Sequence, residues 1–412
     1  MKATSDVIVV GGGPTGSFTA LNIAKHGANV MVFEEHEKIG FPSHCAGHLS
    51  LKGLKNLGLY PLPTKIVENI FYGAKFHSPK GKSFSIRFSQ PVTCVVNRTL
   101  FDNYIARIAE ENGVHYCLNS QVESLIIENF FVKGVKVKQN GKVEREFLSK
   151  IVVDAEGISS RILKQAALAS SNPHMFVNGV EAEVENIKDI EHDMVEVFLG
   201  KKYAPGFYAW LIPKRNGKAK IGLATKTGNP KELLQRLMVK HPIASKKLRA
   251  TRILRLAYHP LTLGGPIPKT FSNGFLAVGD VASQVKPTTG GGVIFGMTCS
   301  RIAAEVISEA LQRNEFSEEK LSLYQKRFME ILGFDMNVML RIRKMLNAIP
   351  DNKLESIISF CVKIDLDKVL RKFEDLDFQG KALIRTLRYP SMWATMIYLT
   401  MFCSSEISIG RY

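Results

Sequence analysis

Residues 6–34 leave this chain few choices. Asp6–Val10 is a short, β-rich apolar run of the kind that lies buried in a parallel sheet. It runs directly into Gly11-Gly12-Gly13-Pro14-Thr15-Gly16, a G-x-G-x-x-G, and Ser17–Lys25 follows with helical character. A second apolar run, Asn29–Phe33, ends in Glu34. Strand, glycine turn, helix, strand and acid in that order describe a dinucleotide-binding βαβ unit. Each residue type has a task. Gly11 permits the tight turn, Gly13 lets the backbone approach a pyrophosphate, and Gly16 lets the helix pack closely on the strand. Pro14 and Thr15 open the helix, whose first amides and positive dipole end face the phosphates. Glu34, with Glu35 beside it, accepts from the ribose hydroxyls of an adenosine. A 2′-phosphate would be repelled there, which excludes NADPH from this site.

Two later segments point to FAD rather than NAD. Phe275–Val278 reads as a strand ending in Gly279-Asp280, and Pro287-Thr288-Thr289-Gly290-Gly291-Gly292 enters a helix over Val293–Glu309. Asp280 can bind a ribityl hydroxyl. Gly290, Gly291, Gly292 and Val293 can offer amides to the flavin N1/O2 edge, where negative charge gathers on reduction. Between them, Ile151–Asp154 leads into Ala155-Glu156-Gly157, a strand and turn suited to a second loop near the pyrophosphate. Asp154, Gly157 and Val122 therefore join the candidate cofactor-binding set. No second G-x-G-x-x-G is present, so a nicotinamide donor, NAD(P)H, would bind transiently, or the reductant is a protein such as ferredoxin.

With these segments in order, residues 1–310 resemble the FAD-dependent hydroxylase and reductase superfamily whose namesake is p-hydroxybenzoate hydroxylase. Arg98 with Phe101-Asp102 matches its R-x-x-F-D pattern, which implies an arginine near the FAD phosphates. Two shorter segments resemble the geranylgeranyl reductase family. Pro205-Gly206-Phe207-Tyr208-Ala209-Trp210-Leu211-Ile212-Pro213 is similar to its P-x-x-Y-x-W-x-F-P motif, with Ile212 in place of phenylalanine. Cys45-Ala46-Gly47-His48-Leu49-Ser50 matches its C-x-G-x-x-S. The likeness is greatest to archaeal members, which saturate geranylgeranyl chains of membrane ether lipids. It implies that Cys45, Ala46 and Gly47 lie at the flavin face and that the aromatic segment lines a prenyl pocket.

Reading Phe207–Ile212 as strand puts Tyr208 and Trp210 on one face and Phe207 on the other. Such a face suits a flat polyene; the same aromatics would also serve as plain core packing. Saturating an isolated alkene needs a hydride and a closely coupled proton. Cys45 and Tyr208 are the catalytic candidates, since a thiol is mostly protonated at neutral pH and can act as an acid. The alternative for Cys45 is a small packing residue; His44 and His48 read equally well as loop residues.

The fold class expected is α/β, a Rossmann-like FAD domain with an antiparallel-sheet substrate domain and a helical C-terminal region. The FAD domain would comprise residues 1–60, 96–170 and 268–310, the substrate domain 61–95 and 171–267, and the helical region 311–412. Helices are expected over Ser317–Leu332, Met336–Leu346, Leu354–Val362 and Lys381–Leu387. Methionines and aromatics from Met336 to Phe402 suit helix packing, a lipid tunnel or an interfacial surface. Ser391–Cys403 is too short and too polar to span a bilayer.

Six scattered cysteines without a C-x-x-C pair argue against zinc or an iron–sulfur cluster and for a reducing compartment. The chain begins directly on a strand, so no leader is expected and the protein is read as cytoplasmic. A formal charge of +17 favours anionic partners. No nucleic-acid motif is present, which leaves the inner membrane face or a merely solvated lysine-rich surface. Two other functions compete with prenyl reduction. An oxygen-using monooxygenase or halogenase is one, although the halogenase W-x-W-x-I-P segment is missing. An electron carrier to quinone is the other, although the cysteines for its added cluster domain are absent.

Overall fold

The structure is a computed structural model and describes residues 3–141, 143–373 and 375–403. The chain forms two compact units, each built from three separated segments. One comprises residues 1–43, 98–175 and 262–336, and the other 44–97, 176–261 and 337–412.

The first unit is organised by a parallel sheet. Its strands run Phe275–Ala277, Val143–Asp154, Ala3–Val10, Val30–Phe33 and His115–Cys117 across the sheet, all parallel. Val7–Val9, Val30, Val32 and Ile151–Val153 are fully buried. That explains their unbroken apolar character, since a parallel sheet is covered on both faces. The strand Val143–Asp154 is much longer than the expected Ile151–Asp154. Its first half carries three charged residues in a row, Glu144, Arg145 and Glu146, and pairs with an antiparallel hairpin, Ser120–Glu128 and Phe131–Gln139. A run of consecutive charged residues does not announce itself as part of a buried sheet.

The second unit carries a seven-stranded sheet in the order Arg252–Thr262, Phe176–Glu185, Lys218–Thr225, Ala209–Pro213, Met194–Phe198, Gly73–His77 and Ser83–Arg87. It is not wholly antiparallel, because Met194–Phe198 and Gly73–His77 run parallel. The latter strand arrives from a distant segment and need not reverse direction as a hairpin partner would. One face buries Val180, Ala182, Leu211, Ile221 and Leu223 against Leu233, Leu234 and Leu237 of the helix Pro230–Lys240. The opposite face carries Trp210 and Ile212, packed with Phe71, Val95 and Ala46. Those last residues belong to or adjoin a three-stranded sheet of His48–Ser50, Thr93–Val96 and Val67–Phe71.

The C-terminal helices are Glu318–Phe328, Phe334–Ala348, Asp351–Lys363, Leu366–Leu370, Gln379–Thr386 and Pro390–Cys403. Asp351–Lys363 is bound to the second unit by its own carboxylates. Glu355 accepts from Ser78 Oγ at 2.8 Å and Lys80 N at 2.7 Å, and Asp351 accepts from the amides of Lys201 and Lys202 at 2.6 and 2.9 Å. No helix among the described residues is long and apolar enough to cross a membrane. The side chains of Met401 and Phe402 lie outside the described residues.

Candidate functional site

Within the first unit, the candidate cofactor residues gather at the carboxyl ends of neighbouring parallel strands, where open α/β sheets bind ligands. Gly11, Glu34 and Ala155 each follow directly on such a strand end, and Gly279-Asp280 lies just past another. The three glycines of the turn differ in kind. Gly11 has φ +95°, and a Cβ there would sit 2.5 Å from the Ala155 carbonyl oxygen. A Cβ on Gly16 would collide with the Gly11 carbonyl oxygen. Both are demanded by the chain itself. Gly13, the N-cap of the helix Pro14–Lys25, has ordinary φ −64° and ψ 179°, and a Cβ on it would meet nothing within 4 Å. The hollow in front of Gly13 would be filled by any side chain, and the helix behind it has no acidic residue in its first turn and no capping side chain. That is a cradle for a phosphate group.

Glu34 Oε2 accepts from Gly12 N at 2.7 Å, and Oε1 accepts from His36 N at 2.9 Å and contacts His36 Nδ1. Glu34 thus ties the second strand to the glycine turn, with His36 as an unforeseen partner. Glu35 turns elsewhere, accepting from Gln121 Nε2 at 2.8 Å. The Val122 side chain is buried in the core, leaving only its backbone for polar contacts, and its carbonyl accepts from Arg161 at 2.8 Å. The Thr15 side chain seats in a notch, since a Cβ on Gly279 would lie 2.9 Å from its Cγ2 and one on Gly296 2.6 Å from its Oγ1.

Asp154 is fully buried. Its Oδ1 accepts from Glu156 N at 3.0 Å, and its Oδ2 has no hydrogen-bond partner among the described residues. Burial, reinforced by Glu156, pushes this carboxyl well above the usual range. Arg98 is locked by Asp102, with Nε and Nη2 donating at 2.9 and 2.8 Å in a bidentate pair. Burial raises the Asp280 carboxyl, and the Arg98 charge opposes that shift. Asp280 lies against Gly292, where a Cβ would collide with Oδ1, at the start of the helix Val293–Arg313. Gly290 has φ +71°, and a Cβ on Gly291 would press on Lys286 Cε at 2.8 Å. Gly157 also takes positive φ, +76°.

Within the second unit, a different set converges. The Cys45 thiol is exposed, and Gly47 N donates to its Sγ at 3.4 Å. The loop around it is fastened from three sides. Lys220 Nζ donates to the Ala46 carbonyl at 2.9 Å, Val96 N donates to the Gly47 carbonyl at 2.9 Å, and His48 Nε2 meets Thr93 Oγ1 at 2.7 Å. His44 stacks on His259 at 5.7 Å. The two histidines therefore hold the loop while the thiol stays accessible.

The aromatic segment departs from the expected alternation. Strand geometry begins only at Ala209, after the Pro205-Gly206 turn. Phe207 and Tyr208 consequently stack on each other at 4.3 Å instead of pointing to opposite faces, and Tyr208 meets Trp210 edge-on at 6.1 Å. Above them lies Arg343, only 2% exposed, its guanidinium 4.4 Å from the Phe207 ring centroid and 5.9 Å from that of Tyr208. Burial lowers the Arg343 pKa to about 10 and raises that of the Tyr208 hydroxyl to about 12, so the phenol stays neutral at physiological pH. Nothing in the local sequence marks Arg343, one of several basic residues on a helix 135 positions away from Tyr208.

The profile of the family described as Lycopene cyclase protein matches residues 6–345. A digeranylgeranylglycerophospholipid reductase of Methanocaldococcus jannaschii is 32% identical over 374 residues, covering 89% of this chain and 94% of the relative. One from Methanosarcina acetivorans is 30% identical, covering 93% of this chain and 94% of the relative. Among solved structures, a geranylgeranyl bacteriochlorophyll reductase-like protein from Thermoplasma acidophilum superposes with a TM-score of 0.86 at 24% identity, covering 97% of this chain and 100% of that one. A flavin-dependent brominase shares the fold with a TM-score of 0.76 at 19% identity, over 98% of this chain and 100% of that one.

Proposed function

This chain belongs to the Lycopene cyclase protein family and to the family of digeranylgeranylglycerophospholipid reductases, and from that premise we propose that it is a flavin-dependent reductase saturating the C=C bonds of geranylgeranyl chains in membrane lipids. The observation that carries the reading is the presence on one chain of a phosphate cradle at Gly13 and of a fastened loop presenting the Cys45 thiol. The flavin is FAD, held by the first unit. The hollow at Gly13 would hold the pyrophosphate, Glu34 the adenosine ribose and Asp280 a ribityl hydroxyl, and the helix start at Gly292-Val293 would offer amides to the flavin ring. Arg98, fixed by Asp102, supplies positive charge near the phosphates.

When bound and reduced, the flavin would supply a hydride, and the remaining work would fall to residues of the second unit. The Phe207–Tyr208 pair and Trp210 bind the polyene and exclude water from it. Cys45 supplies the proton that the unactivated alkene needs, with the neutral Tyr208 phenol as the second candidate donor. The electrons come from NAD(P)H binding transiently or from a ferredoxin-like protein. Incubating dithionite-reduced protein with geranylgeranyl phospholipid should raise the lipid mass by about two units per bond, because a hydride and a proton both add. No gain with any prenyl lipid, diphosphate or quinone would overturn the reading in favour of oxygen chemistry or electron transfer.

A substrate carried in a bilayer also calls for a face that can meet one. The helices Gln379–Thr386 and Pro390–Cys403 expose Ile384, Trp393 and Ile397 at 53–54%, flanked by exposed Lys381, Arg385 and Arg388. No acidic residue occurs between 379 and 403. Apolar anchors within a basic rim suit an anionic lipid surface. We expect sedimentation with anionic vesicles, release by high salt, and affinity at least roughly tenfold weaker in a Trp393→Glu/Ile397→Glu protein. Equal binding to neutral vesicles, or no effect of the double substitution, would exclude this face.

A further inference from the structure

The sheet face that carries Trp210 also carries a carboxylate without a task in the reaction above. Strand register pairs Glu181 with Gly222, and Gly222 with Trp210 on its other side. Gly222 offers nothing to separate the two side chains, and a Cβ there would lie 2.5 Å from Trp210 Cζ2. The indole therefore covers the glycine, and its Nε1 donates to Glu181 Oε2 at 3.1 Å.

The surrounding charges do not balance. Three carboxylates, Glu68, Glu181 and Glu183, share the region with two lysines, Lys214 and Lys220. Glu68 engages both lysines, at 2.8 and 3.1 Å, and Glu183 engages Lys214 at 2.8 Å. Glu181 has no ion pair among the described residues. Lys220 is the nearest competing cation, and its Nζ is already committed to the Ala46 carbonyl at 2.9 Å, with the Val96 carbonyl at 3.4 Å. Removing a carboxylate from water without a counter-ion favours its protonated form. Burial accordingly raises the Glu181 pKa to about 7, with the Lys220 charge and the Trp210 hydrogen bond opposing the shift and Glu183 and Glu68 adding to it.

We propose that Glu181 is a positioning residue whose protonation keeps Lys220 on the Ala46 carbonyl, beside Cys45. The two charge states differ in what they ask of Lys220. Neutral Glu181 accepts the indole hydrogen bond and leaves the ammonium to Ala46. Ionised Glu181 attracts the ammonium and loosens the loop that presents the thiol. Alkene reduction is then fast below neutral pH and falls above it. This inference rests on the reading of Cys45 and Trp210 given above.

The test therefore has one readout that needs no substrate. The chain contains two tryptophans, so Trp393→Phe leaves Trp210 as the sole indole. In that holoprotein, Trp210 emission should show an inflection near pH 7. The inflection should vanish in Trp393→Phe/Glu181→Gln, whose amide still accepts from the indole, and persist in Trp393→Phe/Glu181→Asp, which still titrates. A glutamine protein with the same inflection, or a parent with none between pH 5 and 9, would overturn the proposal.

The second readout is anaerobic reoxidation of the dithionite-reduced enzyme by geranylgeranyl lipid. Its rate should fall about tenfold from pH 6 to pH 8, following the protonated fraction of a group titrating near 7. The Glu181→Gln enzyme should lose that dependence while its reduction by dithionite is unchanged. An equal pH dependence in both would also overturn the proposal. Reoxidation by no prenyl substrate at all would instead sink the functional reading and leave the fluorescence result standing.

Discussion

A Gly13→Leu protein is expected to fold normally and to be colourless. Gly13 has an ordinary extended backbone at the head of its helix, and a Cβ there meets nothing within 4 Å. The chain itself therefore does not require glycine at this position. The ligand does, because a leucine side chain would occupy the space through which a pyrophosphate reaches the helix amides. Affinity for FAD should drop by a factor of at least roughly 10², or about 3 kcal/mol. Melting of the two apoproteins should agree within a degree or two, since surface changes that touch nothing cost little. Gly16→Ala provides the contrast. Its Cβ would collide with the Gly11 carbonyl, so the expected loss is stability of the apoprotein itself. Flavin absorbance after reconstitution and thermal melting of the apoproteins separate the cases. A yellow Gly13→Leu protein would show that the dinucleotide does not run past this turn.

The second large effect concerns the thiol. Cys45→Ser should bind FAD and accept electrons from dithionite as the parent does. Its reoxidation by prenyl lipid should fall by roughly 10²–10⁴-fold, the range for losing a positioned acid. The serine keeps the loop intact, because its hydroxyl can still accept from Gly47 N and the other fastenings run through the Ala46 and Gly47 carbonyls and His48. A changed rate can then be assigned to the missing proton donor. An unchanged rate would reject the acid role and turn attention to Tyr208, whose phenol burial keeps protonated up to about pH 12.

What could be read from the sequence had local causes. The G-x-G-x-x-G turn, Glu34 and the strand before Asp280 are set by backbone geometry and strand burial, both of which leave marks within a few residues. The motif assigns Gly11, Gly13 and Gly16 different tasks, but what stands opposite each Cα, a carbonyl oxygen at Gly11 and Gly16 and open space at Gly13, is visible only in the structure. Phe207 and Tyr208 misled because an alternation rule holds only where strand geometry has begun, and the Pro205-Gly206 turn delays it to Ala209. Glu181 sits in a run, Val180–Glu185, whose alternating apolar and acidic residues read as a strand with one wet face. Only the register that sets it across Gly222 from Trp210 shows that this face is covered. Arg343 and Lys220 reach their partners across more than a hundred positions, and no single-sequence period carries that information.

The interleaving of the two units has a consequence for the protein's birth on the ribosome. Each unit is assembled from an early, a middle and a late segment of the chain, and the seven-stranded sheet takes its loop anchors from Asp351 and Glu355. The first unit cannot be completed until residue 336 has emerged, and the second must wait longer still, for the segment that begins at 337. The strand Ala3–Val10 must remain without its neighbour Val143–Asp154 until well over a hundred further residues have emerged. Such long-range pairings form late and leave apolar strand edges open meanwhile. The nascent chain is thus committed to a long exposed interval in which chaperones, not its own half-built sheets, must keep Val7–Val10 from pairing with the wrong partner.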